Sequence, residues 1–192
     1  FTINNNTMDV NQDGIRATDG SYMTINNNVI NDFEEYGVNF HSSENSIVNY
    51  NQIINLTTNG GWKRGINNTS SNQNAQVNYN YIEMGDINNL SYGMGGDGIE
   101  VHDSEIKGDS IVIYNYYCNW MYGISANRST IEDNYLKIFQ YYDCDPATVI
   151  RTYADSSNRS SIKNNIIEAN GFSRGILSSY SDIENNTISG DF

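Results

Sequence analysis

Cysteine, proline, leucine and positive charge are all scarce in this 192-residue chain. Two cysteines do not make a disulfide framework, and with no CxxC or Cys/His cluster they mark no zinc site. Ten Lys and Arg against 23 Asp and Glu leave a formal charge of −13 and an isoelectric point near 4.3. Nucleic acid is excluded as a partner on that balance, because phosphate binding needs surplus cations, and anionic membranes are disfavoured. Neutral glycans, cations or a salty extracellular setting are compatible with it. No apolar run approaches the roughly 20 residues of a membrane span, so direct membrane insertion is not expected. No stretch sustains a 3.6-residue apolar period, and Asn, Gly and Ser, abundant here, are poor helix formers.

What the chain has instead is a repeat. "IKNNII" (162–167) and "IENNTI" (183–188) share the pattern apolar-x-x-Asn-x-apolar. The same pattern places asparagines at Asn6, Asn28, Asn51, Asn80, Asn115, Asn134, Asn165 and Asn186, with the fifth copy read as Val112/Asn115/Tyr117. Between copies stands Gly followed by an aliphatic residue: Gly14-Ile15, Gly37-Val38, Gly65-Ile66, Gly98-Ile99, Gly123-Ile124 and Gly175-Ile176. In the sixth interval Val149-Ile150 holds that place without the Gly. The segments between are short, alternating and rich in Ile, Val and Tyr, bounded by Asn, Gly, Asp and Ser, which are strand and turn signals. A unit of this length is too short for a propeller blade, and too poor in Leu for a leucine-rich repeat. The expected fold is an all-β solenoid of about eight coils over residues 1–192, each coil stacked about 4.8 Å from the next. The apolar residues of each hexad are expected to point inward. The Asn is expected to take the turn conformation at the bend and to bond to its own coil's backbone and to the next Asn, forming a ladder.

The units "SSIKNNIIEANGFSRGI" and "STIEDNYLKIF" resemble the parallel β-helix repeats shared by polysaccharide lyases, glycosidases, NosD-type proteins and archaeal adhesin-like surface proteins. The resemblance runs from Ile3 to Ile188 and implies a right-handed parallel β-helix. It implies little about activity, since that fold carries both enzymes and inert scaffolds. The Asn- and Tyr-rich, Lys-poor composition leans toward the adhesin-like surface proteins, which implies an extracellular or cell-surface location. Both ends of the chain cut through the repeat, so it reads as a piece of a longer polypeptide. Its end coils would pair with missing sequence or with another subunit, as in a homo-oligomer or filament.

Function is expected where a unit exceeds the minimum. The connection from hexad to Gly strand swells at residues 55–64, 83–97 and 137–147, all at one corner of the coil, and carries Trp62, Tyr92, Tyr141 and Tyr142. Aromatic faces beside polar groups suit sugar rings, so these four are the expected ligand-binding residues, with loop packing as their alternative use. Along the Gly strand, the second residue after the Gly gives an outward column containing Glu100, Ser125 and Arg151, and the fourth gives one containing His102, Asn127 and Tyr153.

The first functional expectation is a non-enzymatic structural or adhesive module whose partners are glycans or neighbouring surface-protein subunits. The alternative is a carbohydrate-active enzyme. A lyase would use Tyr153 or His102 as base, with Arg151 neutralising a uronate carboxylate. A hydrolase would pair Glu100 with Asp97 or Asp103.

Three smaller expectations remain. "DVNQDG" (9–14) offers Asp9, Asn11 and Asp13 at alternate positions, but its twelfth position is Gly20, so a full EF-hand is excluded. No cofactor is expected beyond a surface calcium ion there. Among eight sequons, Asn55 and Asn89 sit in the swollen connections and are the expected glycosylation sites. Cys118 and Cys144 either form a disulfide pinning one connection or remain two free thiols.

Overall fold

Each hexad folds as two three- to six-residue strands joined by a two-residue bend. The computed structural model describes residues 1–10, 12–56, 61–70, 74–86, 94–115, 120–141 and 146–190. Among the described residues there are no helices, and the strands form three parallel sheets of eight, eight and seven strands, here called A, B and C. The chain runs A, B, C and back to A, so that seven full coils and two strands of an eighth stack in register. Sheet A begins with Thr2–Asn4 and ends with Ser181–Glu184; sheet B runs from Thr7–Asp9 to Thr187–Ser189; sheet C runs from Ile15–Arg16 to Ser173–Ser179. This is the expected parallel β-solenoid.

The interior is a set of aliphatic columns. Ile25, Val48, Val77, Ile106, Ile131 and Ile162 stack in sheet A, and Ile30, Ile53, Ile82, Ile111, Leu136 and Ile167 in sheet B, all fully buried. Burying each such side chain stabilises the fold by roughly 1.5–3 kcal/mol.

At the A-to-B bend, the backbone N and Nδ2 of Asn28 both donate to Asn51 Oδ1 at 3.0 Å, and those of Asn51 both donate to Asn80 Oδ1 at 3.0 Å. Asn134 to Asn165 and Asn165 to Asn186 repeat the arrangement. Two details depart from expectation. The left-handed turn conformation belongs to the residue before the ladder side chain (Asn5, Asn27, Tyr50, Tyr79, Gly108, Asp133, Asn164, Asn185), with φ between 54° and 68°. Most of these are Asn, Asp or Gly, which tolerate that region; Tyr50 and Tyr79 stack on one another at 5.2 Å.

Asn115, moreover, is not a rung. The fifth rung is Asp109, whose Oδ1 accepts from Asn80 N at 2.7 Å and Nδ2 at 2.9 Å, while its own N–H donates to Asn134 Oδ1 at 2.8 Å. Pairing of Val77 with Ile106 and of Ile82 with Ile111 makes "IKGDSI" (106–111) the fifth hexad. Asn115 lies buried at the end of the sheet B strand Ser110–Asn115, in register with Gln140. The letters of "VIYNYY" fit the pattern, but a carboxyl oxygen performs the amide oxygen's task three residues before that segment begins.

The Gly of each unit is imposed by packing. A Cβ on Gly65 would lie 2.5 Å from the Gly98 carbonyl and 2.8 Å from Ile82 Cγ2, and one on Gly98 would lie 2.6 Å from the Gly123 carbonyl. Gly and the aliphatic residue after it therefore both face the interior, and the strand kinks there. Val149 stands buried in this row, as expected, with Ile150 paired to Ile124.

Candidate functional site

Sheet C carries the candidate site on its outer face. Its register places Arg16, Asn39, Asn67, Glu100, Ser125, Arg151 and Leu177 in one column, as the alignment on Gly predicts. The kink adds a column that strict alternation hides, because the residue before the Gly also faces outward. Tyr36, Arg64, Asp97, Tyr122 and Thr148 occupy it.

The two columns meet in a charged cluster on coils 3 to 6. Arg64 Nε contacts Glu100 Oε2 and lies 3.4 Å from Asp97 Oδ2, with Asp97 almost completely buried. Burial, then the neighbouring Glu100, pushes the Asp97 carboxyl up to about 8, against the pull of Arg64 and Arg151. The Arg64 guanidinium also lies over the rings of Tyr36 at 5.5 Å and Trp62 at 5.7 Å, and donates to the Tyr36 hydroxyl at 3.2 Å. On coil 6, Arg151 sits between the rings of Tyr122 and Tyr153, 4.4 Å from each, and its Nε is buried without a hydrogen-bond partner among the described residues. His102 Nε2 pairs with Asn127 Nδ2 at 3.1 Å, and burial, the largest influence, lowers its basicity. Of the two carboxylates considered beside Glu100, Asp97 is the one that shares its guanidinium. Asp103 is held in a bidentate pair with Arg128 at 2.6 and 2.7 Å. Arg64, Tyr36 and Tyr122 were not legible as site residues, since their column follows from the kink.

Above this cluster, on coils 1 to 3, the same face forms a shallow groove of about 290 Å³ lined by Arg16, Tyr36, Asn39, His41, Arg64 and Asn67, with Thr18 and Thr69 at its edge. Asn67 Nδ2 donates to Asn39 Oδ1 at 3.1 Å, and that oxygen also accepts from His41 N at 3.2 Å. Asn67 is only 4 % exposed, and its Oδ1 has no hydrogen-bond partner among the described residues. A residue in the groove's lining thus carries a buried acceptor that lacks a donor.

The other expected residues are distributed more widely. Four connections at the B-to-C corner lengthen rather than three, since reassigning the fifth hexad makes room for one after Asn115. Trp62 (42 % exposed) and Tyr141 (39 % exposed) flank that corner, and Tyr141 stacks on Phe139 at 6.2 Å. Tyr92, Tyr142, Asn89, Cys118, Cys144 and Asn11 lie outside the described residues. Asn55 is buried at the end of Gln52–Asn55, with Nδ2 donating to the Phe33 carbonyl, so its amide faces inward rather than into a loop. Asp9 Oδ1 accepts from Asn31 Nδ2 at 2.8 Å, and Asp13 bonds Tyr36 N and pairs with Arg16. Among the described residues no group of three or more His, Cys, Asp or Glu side chains is placed to hold a metal ion.

Comparison with protein families, curated proteins and solved structures finds no match.

Proposed function

We propose that this protein is a non-enzymatic extracellular module that contacts neutral glycans through the outer face of sheet C, in the groove of coils 1 to 3. The observation that carries the reading is Asn67 Oδ1, a buried acceptor with no partner among the described residues, on a residue that lines a polar groove. A sugar hydroxyl supplies the donor such an oxygen needs, and Tyr36 supplies an aromatic wall. The groove's volume, at the small end of ligand sites, suits one or two sugar rings. The net charge of −13 favours neutral over acidic saccharides. Location at a cell surface, and contact there with neighbouring surface-protein subunits, belong to the same proposal.

The test is titration of the protein with a panel of neutral mono- and oligosaccharides followed by amide NMR. Shifts centred on Asn39, His41 and Asn67 are expected, with affinity falling about tenfold in Asn67→Ala, as for one lost hydrogen bond of ~1.4 kcal/mol. A panel that moves none of these resonances overturns the reading.

A second reading, a carbohydrate-active enzyme, is favoured by one observation: the buried Asp97 carboxyl, raised to about 8, stands beside Glu100. Asp97 as acid and Glu100 as base would divide the roles of glycosidic cleavage. Against it, Arg64 contacts both carboxylates, so their charge is neutralised within the fold. Incubation with neutral and uronic polysaccharides separates the readings. Cleavage lost in Glu100→Ala, Asp97→Asn or Arg151→Ala would establish the enzyme.

A further inference from the structure

The ladder contains one rung of different chemistry, unrelated to the proposed glycan contact. At Asn28, Asn51, Asn80, Asn134 and Asn165, Nδ2 donates onward to the next rung's Oδ1 and back to a sheet A carbonyl of the preceding coil. The backward bonds run from Asn80 to Val48 O (2.8 Å), from Asn134 to Ile106 O (3.2 Å) and from Asn165 to Ile131 O (3.0 Å). Asp109 reproduces the oxygen half of this scheme, but Oδ2 takes the place of the nitrogen.

By the register of Val77 with Ile106, the two acceptors that Nδ2 serves at the other rungs correspond here to Asn134 Oδ1 and the Val77 carbonyl. Asp109 is 1 % exposed, and Oδ2 has no hydrogen-bond partner among the described residues. An ionised oxygen between two acceptors, out of reach of water, is repelled by both. The charged and titratable groups of the packed elements do not relieve it. Lys107 of the same coil turns outward to Glu132 and Asp133 of coil 6, Tyr135 reaches Glu168, and Tyr79 and Tyr81 of coil 4 lie at the surface. Glu105, the remaining charged residue of that strand, is exposed.

We propose that Asp109 is a neutral carboxylic acid in the folded protein, its Oδ2–H donating to one of these two acceptors in place of an amide N–H, and that coil 5 is therefore an alkali-sensitive joint in the solenoid. The strong upward push of burial on this carboxyl agrees, and exceeds the opposing effect of the bonds from Asn80. The unfolded chain gives up the same proton near pH 4, so folding takes one up. The contribution is complete below about pH 4 and is lost as pH rises through the folded value, at about tenfold in the folding equilibrium constant per pH unit.

The experiment compares the full chain with Asp109→Asn, which restores the common rung and is expected to fold. Denaturant unfolding is followed at about pH 5, 6 and 7. The unfolding constant of the wild type, relative to the variant, is expected to rise about tenfold with each step. Independently of any unfolding model, the carboxyl ¹³C resonance of Asp109 in the folded protein is expected at its protonated position at about pH 6. A ratio that stays constant over that range, or a carboxylate-type resonance at about pH 5, overturns the proposal.

Discussion

Asn51 shows how much a single amide carries at the A-to-B bend. Its Oδ1 receives two bonds from Asn28, and its Nδ2 serves Ile25 O, Asn49 O and Asn80 Oδ1. Truncation in Asn51→Ala leaves several of these groups buried and unpaired, so a loss of about 3–5 kcal/mol is expected in urea unfolding. A loss below ~1 kcal/mol would mean that water enters the bend and replaces the ladder. The column was legible because Asn recurs at one offset from paired aliphatics, as at Ile162/Asn165/Ile167. Asp109 was not, because a search by letter cannot see that only one side-chain oxygen is needed to receive Asn80. Nor does the pattern say which of two adjacent residues, such as Asn164 or Asn165, takes the left-handed conformation and which forms the rung.

Within a strand, the Gly row determines what the outer face can display. Gly65→Ala sets a methyl against the Gly98 carbonyl and Ile82 at 2.5 and 2.8 Å and is expected to cost about 2–3 kcal/mol. Gly175→Ala, whose nearest contact is Ile188 Cγ2 at 3.0 Å, is expected to cost under about 1 kcal/mol. Thermal unfolding of the two variants side by side checks the ranking. The same row explains what was read correctly and what was missed at the candidate site. Counting forward from the Gly gave the columns of Glu100 and His102, because alternation holds there. Extending those columns backward past the Gly fails, because Gly and the residue after it both face inward, which shifts the alternation by one and leaves Arg64 and Asp97 outward. Between adjacent strands, Lys107 with Glu132 and Lys137 with Glu168 link neighbouring coils at 3.2 and 2.9 Å. Pairs this open to solvent are screened and contribute little to stability.

Across the whole molecule, acid–base behaviour is dominated by buried carboxyls. Asp97 and Asp109 both have folded values raised above the unfolded one, so both favour the fold most below about pH 4 and lose that contribution as pH rises, Asp97 through about 8. Glu168, lowered chiefly by its bond from Lys137, works in the opposite sense and gives up its contribution as pH falls. Stability is therefore expected to peak in mildly acidic solution and to fall between about pH 5 and 8, read as a drop in the urea midpoint. A midpoint that rises over that interval would contradict the burial of Asp97 and Asp109. Overall architecture was the most legible level, since any in-register stack of these units produces the same three sheets. The groove at Asn67 was the least legible, since it depends on which polar atoms are left without partners.

The sameness of successive rungs makes the period an interchangeable part. Removing residues 135–165, a segment equal to the 31-residue spacing between two ladder amides, would splice Asn134 directly to Ile166, keep coil 5's sheet A neighbour and bring to its sheets B and C the strands that now follow one coil further on, in the same register. Such a shortened chain is expected to keep its β-type circular dichroism and cooperative melting. Lineages of this protein are then free to grow or shrink by whole periods, through duplication or loss, without having to invent a new interface each time.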